Sequence, residues 1–286
     1  MRGVIVKGIG GFYYVKAEDS VVYECKARGI FRKDKIKPVI GDSVEIEVEN
    51  QKGNIVKIWE RRTELVRPPV SNIDNIMIVI ASKNPDPDFL LIDKMLVTAE
   101  EKGINPILCI NKTDLEDGEE ITKVYKNTGY PIFKVSVQEK CGIDELKEQL
   151  LGKITAFAGL SGVGKSSILN ELISSFAETG DISEKIKRGR HTTRHVELFS
   201  LESGGFIFDT PGFSSFEMEN IKANELSKYF PEMCNIEEPC RFKGCVHINE
   251  PDCAVKRLVE EGKIHHKRYE NYKEIYNILK ARKDWE

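Results

Sequence analysis

The glycine-rich segment GLSGVGKSS, which begins at Gly159, constrains the fold of this chain more than any other segment. It matches the pattern G-x-x-x-x-G-K-[ST], follows the apolar run ITAFA and precedes a helical pattern over residues 165–173. In that context the glycines let backbone N–H groups converge on phosphate oxygens at the positive end of a helix dipole. The segment therefore predicts a P-loop within an α/β domain that binds a nucleoside triphosphate.

The side chains of this P-loop have separate predicted roles. Lys165 would bring its charge to the β and γ phosphates, so it is also a candidate catalytic residue. The Ser166 hydroxyl would ligate Mg²⁺. The residues expected to surround the phosphates are Gly159, Ser161, Gly162, Val163, Gly164, Lys165, Ser166 and Ser167.

A second motif, NKTD at residues 111–114, follows the apolar run PILCI and indicates which base is bound. The Asp114 carboxylate can accept hydrogen bonds from both N1–H and the exocyclic amino group of guanine, a donor pair that adenine lacks. Asn111 can contact the Hoogsteen edge of the base, and the Lys112 stem can lie on the ring face. Ser136, which follows the run IFKV, is placed in a loop that can contact the guanine edge. Together with the P-loop, these residues predict GTP.

Two later segments supply candidates for the metal and the γ-phosphate. Asp209 ends the apolar run GFIFD, so it can hold Mg²⁺ through water, and the Gly212 N–H can meet the γ-phosphate. The loop GRHTTR offers Thr192 and Thr193 to complete the Mg²⁺ shell. The sequence does not separate these two threonines; Thr193 is the one assigned to the metal here. His191 is a candidate for orienting the attacking water, and a surface or RNA contact is its alternative role.

These motifs are those of a GTPase, but their order along the chain is permuted. The usual order is P-loop, switch threonine, DxxG, NKxD and serine loop, whereas here the last two come first. From residue 76 onward, buried-strand runs alternate with helical patterns, which predicts a parallel sheet covered on both faces. All five motifs can still converge at the carboxyl ends of the strands, because such a site depends on spatial position.

The regions flanking the GTPase motifs predict two further domains. Residues 1–65 are β-rich runs broken by turn residues, which favours a small closed barrel of about five strands. The segment RPP at residues 67–69 marks a boundary near residue 65. We therefore predict a barrel at 1–65, a permuted GTPase domain at 66–216 and a metal-binding, mostly helical domain at 217–286.

The C-terminal region contains a candidate zinc site. Cys240, Cys245, His247 and Cys253 provide three thiolates and an imidazole, the closed tetrahedral set typical of structural Zn²⁺. Cys234 is the competing ligand. Downstream, four residues at three- and four-residue spacing predict the core-facing side of a helix: Tyr269, Tyr272, Tyr276 and Leu279.

The composition constrains the partners and the compartment. Net charge is −3, yet Lys26–Lys37 and Lys185–Arg194 are strongly basic, which favours a phosphate backbone as partner; a solvated surface is the alternative. We expect RNA to contact Lys26–Lys37 in the barrel. In the zinc region we expect it to contact Lys256, Arg257, Lys263, Lys267 and Arg268. No apolar run is long enough for a membrane helix, no signal peptide is recognisable, and seven cysteines are too sparse for a disulfide scaffold. We therefore expect a protein of a reducing compartment that does not bind membranes.

The permuted order, together with GLSGVGKSS, GRHTT, DTPGF and the Cys/His cluster, resembles the circularly permuted ribosome-assembly GTPases of the RsgA (YjeQ/YloQ) type. The resemblance covers essentially the whole chain. It implies an OB-fold barrel and a cytoplasmic protein that hydrolyses GTP to GDP in late maturation of the small ribosomal subunit, with contacts to its rRNA. The family's zinc pattern starts at Cys240, which leaves Cys234 out. We expect a monomer holding one structural zinc ion, and magnesium with GTP.

Two departures from the family pattern affect the site assignments. The switch loop reads GRHTTRH, where the family often has a third threonine, and the serine loop reads Ser136-Val137 in place of Ser-Ala. Phe213 stands where familiar small GTPases carry a water-orienting glutamine, so we expect slow intrinsic hydrolysis. Two other functions remain open. NKTD disfavours a P-loop kinase of a small metabolite, and intact Lys165, Ser166 and Asp209 disfavour a non-catalytic RNA-binding scaffold that retains nucleotide.

Overall fold

A computed structural model describes residues 1–29, 31, 36–49, 52–65, 68–174, 197–201, 204–209, 218, 220–234 and 236–282. The chain divides into two compact units, each built from several segments. The first unit comprises Met1–Ile76, Ile143–Phe157 and Lys165–Phe213, and the second comprises Met77–Gly142, Ala158–Gly164 and Ser214–Glu286. The division into three domains remains a prediction from the sequence.

The described strands are β1 (Arg2–Ile9), β2 (Phe12–Ala17), β3 (Val22–Ala27), β4 (Ser43–Glu49), β5 (Lys52–Ile58), β6 (Glu64–Leu65), β7 (Val70–Ser71), β8 (Asn75–Ala81), β9 (Asn105–Asn111), β10 (Ile132–Lys134), β11 (Ile154–Ala158), β12 (Glu197–Ser200) and β13 (Phe206–Asp209). The described α-helices are α1 (Phe89–Glu101), α2 (Glu119–Tyr125), α3 (Ile143–Leu150), α4 (Lys165–Ser174), α5 (Pro231–Cys234), α6 (Ala254–Glu260) and α7 (His266–Ala281). A 3₁₀ helix covers Ala223–Tyr229.

Strands β1–β5 form the barrel that the N-terminal sequence predicts. They are hydrogen-bonded in the order β1-β2-β3-β5-β4, and the pairing of β1 with β4 closes the sheet. Closure leaves no exposed sheet edge at that seam, which is how five short strands make a stable unit. The alternating apolar residues face inward, and those fully buried include Ile5, Val15, Cys25, Val44, Ile46 and Ile55. This is the five-stranded OB-type barrel.

Strand β1 also pairs with a strand from the other end of the first unit. There β11 and β13 run parallel, β12 is antiparallel to β13, and β12 pairs antiparallel with β1. The P-loop strand β11 and the strand that ends at Asp209 are therefore direct neighbours. Their carboxyl ends lie at the same edge of the sheet because the two strands are parallel.

The second unit contains the alternating strand and helix pattern expected of an α/β domain. Its strands follow the order β10-β9-β8, with β9 and β10 parallel. Every residue of β8 is buried, as expected for a strand covered on both faces. Helix α1 begins after Asp88, whose carboxylate accepts a hydrogen bond from the Leu91 N–H. This helix is one of those that the alternating strand and helical patterns predict after residue 76, and Asp88 caps its first turn.

The C-terminal helices of this unit share an apolar core with α1. Tyr272 of α7 is fully buried and meets the Phe230 ring edge-on at 5.1 Å. Leu279 is also buried, whereas Tyr269 and Tyr276 are half-buried against the same cluster. The tyrosine stripe is therefore packed in the core, as its spacing predicts. Among the residues the structure describes, no helix is both long and apolar enough to cross a membrane.

Candidate functional site

The P-loop is a tight turn, and two of its glycines cannot be replaced without displacing their neighbours. Gly159 has φ +135°, and a Cβ there would lie 2.3 Å from the Val79 carbonyl oxygen. Gly164 has φ +96°, and its Cβ would lie 2.2 Å from Asn111 Nδ2. Helix α4 begins at Lys165, directly after the turn, so its first N–H groups follow the loop as an anion site requires. The remaining predicted phosphate-binding side chains, Ser161, Ser166 and Ser167, are exposed.

The base-recognition motif is joined to this turn by a direct hydrogen bond. Asn111, at the end of β9, donates from Nδ2 to the Val163 carbonyl oxygen at 2.9 Å. Its side chain is buried, and Oδ1 has no hydrogen-bond partner among the described residues. A buried unpaired acceptor is rare in a folded protein, and a bound ligand can satisfy it. The glycine cradle and this unpaired atom both fit a bound nucleotide.

Lys112 links the NKTD turn to the segment that follows β8. It adopts a left-handed backbone conformation with φ 64°, and its ammonium group donates to the Asn84 carbonyl oxygen. Ser82 completes the link, because its hydroxyl donates to the Lys112 carbonyl oxygen at 2.7 Å. No local sequence pattern indicates this contact, since the two segments are far apart in the chain.

Ser136 holds the Asp114 carboxylate in place. Ser136 is fully buried, and its hydroxyl donates to Asp114 Oδ1 at 2.6 Å. The Ser136 hydroxyl oxygen also accepts from the Glu139 N–H at 3.1 Å, and the backbones of Ser136 and Cys141 donate hydrogen bonds to each other in both directions. A carboxylate with one oxygen fixed presents the other in a defined direction. Sequence reasoning assigned Ser136 to the guanine edge and did not name this contact.

The other predicted nucleotide residues are only partly described. The Asp209 backbone ends β13 and is the partner of Glu197 in the antiparallel pairing with β12. The residues that lie outside the described part of the chain are His191, Thr192, Thr193, Gly212 and Phe213, together with the whole basic stretch Lys185–Arg194. Of the stretch Lys26–Lys37, residues 30 and 32–35 also lie outside it.

The four predicted zinc ligands converge on one point. Their ligand atoms all lie within 4.8 Å of one another. His247 Nδ1 is 3.4 Å from the sulfurs of Cys245 and Cys253 and 3.5 Å from that of Cys240. Zn–S bonds of about 2.3 Å at tetrahedral angles place sulfurs about 3.8 Å apart, and the two sulfur pairs measured are 3.8 and 3.9 Å apart. The cluster can therefore hold a zinc ion.

Cys234 is not part of this cluster. Its thiol donates to backbone carbonyl oxygens of the turn before α5, including that of Lys228 at 3.2 Å. Within the cluster, burial raises the pKa of the Cys245 thiol to about 12 and lowers the pKa of the His247 imidazole. Because thiolate is the form that binds zinc, metal binding has to displace the proton of the Cys245 thiol.

The loop that carries Cys245 and His247, here called the metal loop, is hydrogen-bonded to α7 and to the carboxylate of Glu250. The Tyr269 hydroxyl donates to the His247 carbonyl oxygen at 2.7 Å, and the Tyr272 hydroxyl donates to that of Val246 at 2.8 Å. The Glu250 carboxylate accepts from the backbone N–H groups of Val246 and Ile248 at 2.8 and 3.0 Å. These bonds fix the backbone around His247.

Arg268 corrects one prediction, because it is buried and cannot contact RNA. Its side chain is 1% exposed and donates to Asp93 of α1 and to both carboxylate oxygens of Glu232, at 2.7 and 3.1 Å. Asp93 also accepts from Tyr125 at 3.0 Å and from Asn271 at 2.6 Å. The one signal in the sequence was Asp93 itself, a carboxylate on the otherwise apolar face of α1.

The comparisons with known proteins agree with this geometry. The family model described as RsgA GTPase matches residues 58–219, and the RsgA N-terminal domain model matches residues 2–56. The small ribosomal subunit biogenesis GTPase RsgA of Ruminiclostridium cellulolyticum is 47% identical over 285 residues, covering 97% of this chain and 93% of that protein. The protein of the same name from Clostridium acetobutylicum is 47% identical over 289 residues, covering all of both chains.

Two solved structures share the fold. YjeQ from Thermotoga maritima superposes with a TM-score of 0.86 at 38% identity, covering 99% of each chain. YloQ, described as a circularly permuted GTPase, superposes with a TM-score of 0.84 at 38% identity, covering all of this chain and 96% of that one. With a barrel, a permuted set of GTPase motifs and a Cys₃His cluster all present, the chain belongs to the RsgA family of circularly permuted GTPases.

Proposed function

We propose that this chain hydrolyses GTP while bound to the small ribosomal subunit, whose late maturation it assists. The observation that carries the proposal is the hydrogen bond from Asn111 to Val163, which joins the guanine-recognition motif to the phosphate-binding turn. A nucleotide bound by one motif is therefore within the reach of the other. The curated relatives bear the name small ribosomal subunit biogenesis GTPase, which supports the subunit as the partner.

In the bound state, each group of residues has one task. Asp114, held by Ser136, accepts from the guanine donors, while Asn111 and Lys112 border the base. Lys165 and the P-loop N–H groups neutralise the phosphates. The magnesium that accompanies GTP would spread the charge that develops on the phosphates during hydrolysis. Its protein ligands would be Ser166, Asp209 directly or through water, and Thr192 or Thr193.

Hydrolysis by the chain alone should be slow, because Phe213 has no polar group to orient water. A partner has to complete the site, and the basic stretch before His191 would be ordered by RNA phosphates. His191 would then orient the attacking water, and the Gly212 N–H would meet the γ-phosphate. Hydrolysis to GDP releases the protein, so the GTP form should bind subunits more tightly than the GDP form.

RNA contacts are shared between the barrel and the zinc region. OB-type barrels bind nucleic acid across their second and third strands, and Lys26 and Arg28 are exposed at the end of β3. In the zinc region Arg257 and Lys263 are exposed, and Lys256 and Lys267 are half-exposed. Affinity for the subunit should fall as salt rises. Removing residues 1–65 should weaken it while nucleotide binding persists.

We further propose one structural zinc ion on Cys240, Cys245, His247 and Cys253, with no ligand position left open. The protein would act as a monomer in the cytoplasm, where small subunits mature in bacteria such as those of the relatives named above. The metal would fix the loop between α5 and α6, which has few apolar residues of its own.

Asp114→Asn tests the nucleotide assignment. The exchange turns one acceptor into a donor, so preference should move from GTP towards xanthosine triphosphate, whose C2 carbonyl accepts where the guanine amino group donates. The matched control is Asp117→Asn, because Asp117 is exposed and only accepts from the Glu119 N–H. An unchanged nucleotide profile for Asp114→Asn would refute the assignment, and a wild-type preference for ATP would favour a kinase.

A further inference from the structure

Strand β1 pairs with strands of the barrel and also with β12, which lies outside the barrel. Its first residues, Arg2–Val4, pair with β4 and close the barrel, whereas Lys7 is the register partner of Glu197 in β12. The changeover coincides with a β-bulge between Ile5 and Lys7 in the pairing with β2. Because a bulge bends its strand, it lets β1 turn away from β4 and pair with β12, while the residues beyond the bulge stay paired with β2.

Side chains reinforce the second of these pairings. Lys7 Nζ donates to Glu197 Oε2 at 2.8 Å, and the two side chains are 30% and 39% exposed. Glu197 is the first residue of β12, and its partner on the opposite side is Asp209, the last residue of β13. A single cross-strand row therefore runs from the barrel residue Lys7 through Glu197 to the backbone of Asp209.

The same row continues into the barrel. Lys7 is the register partner of Tyr14 in β2, and Tyr14 is the partner of Glu24 in β3. The Tyr14 hydroxyl donates to Glu24 Oε2 at 3.1 Å, so side chains connect this part of the row as well. Strands β2 and β3 form the face on which OB-type barrels bind oligonucleotides. The row thus begins at that face and ends at Asp209.

We infer that Lys7 is a positioning residue of the GTP site, acting through its ion pair with Glu197. The inference rests on the proposed function, in which Asp209 holds Mg²⁺. Glu197 and Asp209 form the outermost rung of the β12–β13 ladder within the described residues, and the rungs at the ends of a ladder open most readily. An opposite charge directly across the strands stabilises such a rung. Lys7 therefore fixes the end of β13, and through it the position of the Asp209 backbone.

The Mg²⁺ dependence of GTP hydrolysis tests this inference in the full-length chain. Lys7→Met and Glu197→Gln should each raise the half-saturating Mg²⁺ concentration by about two- to fivefold, the range that an ion pair of this exposure can supply. GDP binding measured with EDTA present should stay unchanged, because the P-loop and NKTD contacts are intact. The exchanged pair Lys7→Glu/Glu197→Lys should return the Mg²⁺ dependence towards wild type.

Two further variants make the outcomes distinguishable. Lys16→Met is the matched control, because it removes a barrel lysine opposite Val4 and should leave the Mg²⁺ midpoint unchanged. Asp209→Asn should raise the midpoint more than either ion-pair variant. If Asp209→Asn shifts it but Lys7→Met and Glu197→Gln do not, the role of Lys7 is wrong while the proposed function stands. If Asp209→Asn has no effect, the metal assignment and this inference both fail. If the exchanged pair does not bring the Mg²⁺ midpoint back towards wild type, the ion pair is not the cause of the shift.

Discussion

Arg268 of α7 forms a fully buried ion pair with Asp93 of α1, with side chains 1% and 0% exposed. Burial alone would lower the pKa of Arg268, but the charges of Asp93 and Glu232 raise it, so the guanidinium stays charged. Tyr125 and Asn271 complete the hydrogen bonds of Asp93. The ion pair therefore links α1 to α7, the helix whose Tyr269 and Tyr272 donate hydrogen bonds to the metal loop.

Removing one partner of this network should lower the free energy of unfolding substantially. Arg268→Met leaves two buried carboxylates without their cation, so we expect a loss of about 3–5 kcal/mol in the free energy of unfolding. Urea unfolding measures this directly. The neighbouring Lys267→Met should change stability by no more than about 0.5 kcal/mol. A wild-type unfolding curve for Arg268→Met would contradict the buried network.

The bond between Asn111 and Val163 should contribute directly to nucleotide affinity. Asn111→Ala leaves the Val163 carbonyl oxygen unpaired at the edge of the P-loop. The cost of about 1–3 kcal/mol corresponds to a 5- to 150-fold weaker affinity for GDP, measured by equilibrium titration. Asn127→Ala is a suitable control, because that exposed asparagine donates to the Lys263 carbonyl oxygen. Equal affinities of Asn111→Ala and wild type would contradict this role.

Ser136 should affect base selectivity rather than phosphate binding. Ser136→Ala removes the hydroxyl that holds Asp114 Oδ1, so the carboxylate loses its fixed direction. We expect the ratio of ADP to GDP dissociation constants to fall by about fivefold or more. Binding of inorganic pyrophosphate serves as the control and should not change. A ratio equal to that of wild type would show that Asp114 is oriented without Ser136.

Zinc removal should unfold the C-terminal region selectively. Metal analysis should find about one equivalent of zinc, and Cys253→Ala should lose it and become susceptible to proteolysis beyond residue 220. Since zinc binds the thiolate and burial raises the pKa of the Cys245 thiol, zinc affinity should also fall as pH is lowered. Cys234→Ala is the control, because its thiol contacts only carbonyl oxygens of the preceding turn. A metal-free protein that resists proteolysis as the zinc-loaded one does would refute this prediction.

The N-terminus of α7 should make stability depend on pH. His265 Nδ1 accepts from the Lys267 N–H at 3.2 Å, which requires an unprotonated nitrogen. Burial, together with the charges of His266 and Lys126, lowers the pKa of His265 below its ordinary value of 6.5. The hydrogen bond accepted by neutral His265 therefore contributes fully to the free energy of unfolding above about pH 6.5, and this contribution is lost as pH falls through the lowered pKa. Urea unfolding at pH 7 and pH 5 should show a smaller pH-dependent loss for His265→Asn, which keeps a neutral cap. Equal losses of stability between pH 7 and pH 5 for wild type and His265→Asn would contradict the role of His265.

Local sequence patterns predicted the elements and motifs well. The barrel strands, the helix capped by Asp88, the P-loop turn and the four metal ligands were all recognisable, because each depends on residues close together in the chain. The pairing of Arg268 with Asp93 was not, since the two lie 175 residues apart and no local pattern indicates which cation pairs with Asp93. The contacts of Ser136 with Asp114 and of Lys7 with Glu197 were missed for the same reason.

The rate of GTP hydrolysis with and without small ribosomal subunits tests the central claim most directly. The account predicts slow turnover by the protein alone and stimulation by at least about tenfold when purified small subunits are added. The stimulation should decline as salt rises, and large subunits should not produce it. A turnover rate that small subunits leave unchanged at low salt would contradict the account.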